Sequence, residues 1–286
     1  MTGAHYYSRG LGVDWLFMLN AYVDESGDST DKVCNFVGLG GIAAHQDCWV
    51  QFEIEWKAAL DEFIGGKPFH MKDFVCVPGR GVYLGWDEDK RRSFMSKLVS
   101  AILSIKPHFV GCVVSVPDFK ELPAVLKTSL RDPYYVGFQE VTRGLSIVAE
   151  VNGTEPIAMI YAIHEKHGVT EAGMAAQLWT AMQNDPEYGR WMGPYSIGSP
   201  SNVYALQAAD LFSYELTQEF ESLCGRHCRA MRWPMKQFFR DGTDIFVNCF
   251  VSPLFEEIAT GFTNEKFRKF QQKVMSNLYL RSKGAV

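Results

Sequence analysis

Ala21-Tyr22-Val23-Asp24-Glu25-Ser26-Gly27-Asp28 decides how the rest of the chain is read. An apolar run ends in two consecutive carboxylates and then breaks at Ser26-Gly27. Successive strand side chains point to opposite faces, so Asp24 and Glu25 reach one pocket only where the strand bends or ends. A carboxylate at the lip of a sheet is costly to bury unless a cation or a donor compensates it. Taken alone, the pair of acids equally well opens a polar turn before Gly27. Several acids converging from distant parts of the chain would make a metal site instead.

Outward from this stretch, residues 19–23 read as a strand and 26–32 as a polar hairpin turn. Residues 35–44, with three glycines, form a second strand region that bends or lets another backbone come close. Asp47 is placed to cap a helix over 48–63, which Gly65-Gly66 ends. Residues 68–74 are too short and mixed for a long element. Asp87 opens a helix over 88–104, and Pro107 stops it. The β-branched run at 108–116 reads as a strand buried on both faces. A helix over 134–151 leads to a strand over 156–163, which delivers His164 and Glu165 at its end. A helix over 170–182, a loop over 185–201, a short strand at 202–204 and a helix over 206–219 follow. The tail reads as helical near 264–280. Strands alternating with helices after a first hairpin imply an α/β fold with a mixed sheet. Three parts are expected: an arm (1–18), the sheet-bearing domain (19–220) and a mainly helical extension packed on it (221–286).

Composition limits the function classes. The chain has 286 residues, 47% hydrophobic and 14% aromatic, enough for a large core. A formal charge of −5 disfavours a surface that coats nucleic acid throughout and leaves room for a local basic groove. Seven cysteines show no CxxC. Cys224, His227 and Cys228 make a weak zinc signal, and ordinary reduced thiols are the favoured interpretation. No secretory signal is visible, and residues 98–116 contain Lys106, Pro107 and His108, unlike a membrane span. A cytoplasmic protein without membrane contact is the expectation.

Gln207 and Asp210 lie three apart on the helix 206–219 and share one face. Asp is a poor residue in the middle of a helix, and among Ala-Ala-Asp-Leu-Phe it is not on a plainly solvated face. It either serves a site or pairs with a cap or an arginine. Asp24-Glu25-Ser26-Gly27, the Gly-rich second strand, His70-x-x-Asp73 and Gln207-x-Ala-Asp210-Leu-x-x-Tyr214 together resemble the domain-of-unknown-function family 3800, over about two thirds of the chain. That resemblance implies a ribonuclease-H-like mixed central sheet flanked by helices. It also implies a candidate catalytic set of Asp24, Glu25, His70, Asp73, Glu165 and Asp210. Asp24, Glu165 and Asp210 would be metal ligands, with Ser26, His164 and Gln207 in support. The family usually has an acid at the end of the inner strand, where this chain offers His164 and then Glu165.

Hard oxygen ligands open to water suit Mg²⁺ or Mn²⁺. Two such ions about 3.5–4 Å apart activate water and stabilise the leaving oxygen of a phosphodiester. His70 would move a proton or hold Asp73. His164-Glu165-Lys166-His167 does not have the HExxH spacing of zincins. Lys72, Arg80, Arg131 and Lys166 are candidates for neutralising phosphate. Three functions follow. The first is a metal-dependent nuclease or other phosphodiester hydrolase acting on nucleic acid. The second is a catalytically weak relative that binds nucleic acid or protein, and the third is a metal hydrolase of a small non-nucleic substrate.

Overall fold

β1 (Leu19–Ser26) lies inside a six-stranded sheet and pairs antiparallel with β2 (Phe36–His45), with Asp24 opposite Gly40. The computed structural model describes residues 18–27, 35–76, 79–153, 156–162, 169–224, 229–240, 243–250, 276 and 278–283. The remaining strands are β3 (His108–Ser115), β4 (Ile157–Ala162), β5 (Met192–Gly198) and β6 (Asp244–Phe250). The order is β5-β4-β1-β2-β3-β6, and only β2 runs against the others. This mixed sheet, flanked by helices on both faces, is the ribonuclease-H-like arrangement expected from the sequence.

The two faces carry separate cores. On one, α1 (Gln46–Ile64), α2 (Met71–Val75), α3 (Glu88–Ser104), α8 (Tyr204–Leu223) and α9 (Trp233–Phe238) bury Phe52, Trp56, Phe69, Phe94, Phe212 and Phe238. On the other, α6 (Pro133–Val151) and α7 (Val169–Gln183) close over Leu19, Val23, Leu39, Phe138 and Tyr161. Two short helices, α4 (Val116–Lys120) and α5 (Ala124–Leu130), link β3 to α6. No helix among the described residues is long and apolar enough to cross a membrane.

Several local expectations change. Asp47 does not cap α1: β2 runs directly into the helix at Gln46, His45 takes the cap position, and Asp47 falls inside the first turn. Asp87 does cap α3, accepting from Lys90 N at 2.8 Å. Residues 202–204 are not a strand. Ser199 O accepts from Asn202 N and Val203 N, folding a turn that leads into α8, and the strand of this region lies earlier, at β5. The stretch 221–286 supplies more than helix, since β6 adds a sixth strand parallel to β3. A helical turn at 278–282 brings Arg281 to α8. The arm 1–17, residues 264–275, His227 and Cys228 lie outside the described residues, and Cys48, Cys76, Cys112, Cys224 and Cys249 are free thiols.

Candidate active site

The site begins with the alternation along β1. Leu19, Ala21 and Val23 enter the core under α6, whereas Tyr22 packs on the α1 side, with its ring 4.7 Å from that of Trp49. Asp24 follows Tyr22 onto the α1/α8 face, and Glu25 follows Val23 onto the α6 face beside its cross-strand partner Leu39. The two adjacent acids therefore separate, and Glu25 does not join Asp24 over α8. Both border a narrow crevice at the strand end, shared with Tyr134, Tyr161 and Ala162.

The glycines of β2 explain how α8 comes so near. A Cβ on Gly40, opposite Asp24, would stand 2.8 Å from the backbone of Ser213. One on Gly38, opposite Ser26, would meet Thr217 Oγ1 at 2.0 Å. The bare strand lets the helix lie directly on the sheet and brings Asp210 to the side of Asp24, 186 positions away in sequence.

Asp210 is buried, and its Oδ2 accepts from Met71 N and faces His70 Nδ1, each at 2.8 Å. With Asp210 as acceptor, Nδ1 carries the hydrogen and Nε2 is left for other partners. The His70 side chain is 58% exposed, so the ring opens to solvent while one edge is fixed. Asp24 Oδ1 accepts from Glu25 N at 2.7 Å. Neither Asp24 Oδ2 nor Asp210 Oδ1 bonds to a described residue, and neither is fully enclosed.

The charges of these groups act on one another. Burial, then the Asp210 charge, raises the Asp24 carboxyl well above the ordinary carboxylate range, and His70 opposes them. His70 is pushed up chiefly by its bond to Asp210 and further by the charges of Asp210, Asp73 and Asp24, while burial pulls it down. Asp73, half-buried on α2, acts through charge rather than through a bond to the ring. Tyr83 was not anticipated from the sequence. Its phenol is buried beside the same segment, and burial, with the charges of Asp73 and Asp210, holds its proton on. Only a generic aromatic loop signal marks it, and nothing in that signal specifies its neighbours.

Asp24, His70, Asp73 and Asp210 thus come together, with Ser26 next along β1 and Gln207 one helical turn before Asp210. His164 and Glu165 lie outside the described residues. They follow directly on β4, which runs parallel to β1 with Tyr161 beside Val23. Among the described residues no three His, Cys, Asp or Glu side chains are disposed to hold an ion together. The pair Asp24–Asp210 nevertheless suits a hard cation: two carboxylates, each with one oxygen uncommitted, in a setting that penalises the charge of Asp24. Of the candidate cations, Lys72 and Arg80 are exposed on the segment that carries His70. Arg131, in the turn before α6, donates to Met174 Sδ at 2.8 Å, and Lys166 is not described.

No family model matches the sequence. No curated protein matches it either. Among solved structures, a chain of the PCNA:RNase HII complex from Archaeoglobus fulgidus is similar over 86% of this chain and 91% of that one. The identity is 12% and the TM-score 0.37, so the fold assignment rests on strand order and direction instead.

Proposed function

We propose that this chain is a divalent-metal-dependent phosphodiester hydrolase, a nuclease, with its centre at Asp24 and Asp210. The supporting observation is a half-buried Asp24 carboxyl beside Asp210, with only His70 among the described residues to offset the charge of two acids. Asp24 Oδ2 and Asp210 Oδ1 would hold Mg²⁺ or Mn²⁺, and Glu165, with His164 as its alternative, would complete the set from the end of β4. A bound ion of this kind supplies Lewis acidity toward a phosphate oxygen and makes a water more acidic. His70, anchored through Nδ1 and open at Nε2, moves the proton between solvent and the reacting oxygens. Asp73 keeps the imidazole basic through its charge. Lys72 and Arg80 face solvent on the same segment, where they would meet a polyanionic chain. The resemblance to the domain-of-unknown-function family 3800 supports the same assignment.

The test is cleavage of labelled single- and double-stranded DNA and RNA with Mg²⁺, with Mn²⁺ and with chelator. Metal-dependent cleavage by wild type that Asp210→Asn abolishes is the expected result. No cleavage of any of these substrates, with wild type folded, would reject the nuclease and favour a binding module. The departure at the end of β4, His164 and then Glu165 where the family usually has an acid, favours that alternative.

A further inference from the structure

Two side chains on one face of α8 receive the alternate N–H groups of an extended segment, and the first of them is Gln207. Gln207 is fully buried. Its Oε1 accepts from Trp56 Nε1 at 2.9 Å and from Phe69 N at 3.1 Å, and its Nε2 donates to Pro200 O at 2.7 Å. One turn later Asp210 Oδ2 accepts from Met71 N. His70, between the two N–H groups, is extended at φ −142 and ψ 120. Its neighbours' N–H groups therefore point the same way, about 6.6 Å apart along the chain. Gln207 and Asp210 are separated by only about 4.5 Å of helix rise. The extra methylene of Gln over Asp makes up the difference, so the helix presents a two-rung acceptor edge to residues 69–71.

We propose that Gln207 is a positioning residue: it sets the register of residues 69–71 against α8 and so places His70 Nδ1 on Asp210. A slip of one residue would turn His70 to the far side of the segment and take the Phe69 and Met71 N–H groups away from both acceptors. Because the Gln amide is neutral, it takes the Trp56 and Phe69 donors without adding a third negative charge beside Asp24 and Asp210. The catalytic consequence rests on the hydrolase proposed above, whereas the positioning does not.

Gln207→Met and Gln207→Glu separate positioning from filling space. Met keeps the volume and loses the strong acceptor, while Glu keeps the acceptor and brings a charge. Amide hydrogen exchange at Phe69 and Met71 is read without metal, alongside the shift in melting temperature on adding Mn²⁺. The proposal expects protection of both amides to fall in the order wild type, Glu, Met, with Met at least about tenfold faster in exchange than wild type. It also expects the Mn²⁺ shift to shrink in Gln207→Met. Wild-type protection in Gln207→Met with loss only in Gln207→Glu would make Gln207 a core filler and overturn the proposal. So would release of Phe69 alone, with Met71 and the Mn²⁺ shift unchanged. Release of both amides in Gln207→Met, in a protein that neither binds Mn²⁺ nor cleaves, would uphold the positioning and reject the hydrolase.

Discussion

Asp24 differs from an ordinary strand-end acid in that its surroundings make its charge expensive and, among the described residues, supply no guanidinium to answer it. Burial acts first, Asp210 adds to it, and His70 offsets part of it. Glu215, farther along α8, shows the same physics where an arginine is present. Its side chain is fully buried with Arg232 Nη2 3.0 Å from Oε1, yet neither oxygen makes a hydrogen bond of good geometry. Burial raises its pKa from 4.5 to about 7, against the pull of Arg232. The folded state thus favours the protonated acid. Stability from this group is full below pH 4.5 and declines as pH rises towards about 7, by about 3 kcal/mol in all. Glu215→Gln should flatten that decline between about pH 5 and about pH 8 and should be the more stable form at the alkaline end. Arg232, 30% exposed, can turn to water once the charge is gone. Denaturant unfolding across this range checks it, and an unchanged slope in the variant would contradict it.

At the scale of elements, the site depends on how closely α8 approaches β2. Gly40→Ala forces a methyl against the Ser213 backbone, where no side-chain rotation gives relief, so the helix must lift. The expected cost is about 1–3 kcal/mol, with a smaller Mn²⁺-dependent rise in melting temperature because Asp210 moves away from Asp24. An unaltered melting temperature and metal response would show that this contact does not place the acid. The sequence makes part of this legible. The β-branched run of β3, the stop at Pro107 and the cap at Asp87 are local signals, and α3 and β3 fall close to where they are expected. The Gly-rich strand signals close backbone approach, and Asp210 among small apolar residues signals a buried acid. What covers the glycines is not legible, because that is a long-range packing fact. The separation of Asp24 from Glu25 follows from strand alternation only once the bend is known to be absent. Asp244–Phe250 does not stand out as a strand, because it is a short run whose partner β3 lies more than a hundred residues earlier in the chain. A strand is expected at 202–204, whereas the chain turns there on the Ser199 carbonyl, a local bond that residue pattern does not show.

At the scale of the whole molecule, the tail and the site share one helix. α8 carries Gln207 and Asp210 near its start and Glu215 and Glu219 farther along, where Arg229, Arg232 and Arg281 meet them. Arg281 holds Glu219 through Nε, while its Nη2 donates to Ser222 Oγ at 3.0 Å and Arg229 O at 2.9 Å. Removing it would leave a carboxylate that is 2% exposed without its closest partner. Arg281→Ala should therefore cost about 3 kcal/mol, read as a lower unfolding midpoint. A loss within measurement error would mean that the tail does not brace α8. The central claim, that Asp24 and Asp210 share a divalent cation, is tested most directly by thermal melting of wild type, Asp24→Asn and Asp210→Asn with chelator and with Mn²⁺. Asn keeps the shape, removes a charge and presents a donor where a cation needs an acceptor. Without metal, Asp24→Asn should melt at or above wild type, since it relieves a buried charge next to Asp210. Mn²⁺ should raise the melting temperature of wild type and leave both variants nearly unmoved. A wild type that ignores Mn²⁺, together with an Asp24→Asn variant that melts well below it, would contradict the shared cation and make Asp24 a purely structural acid.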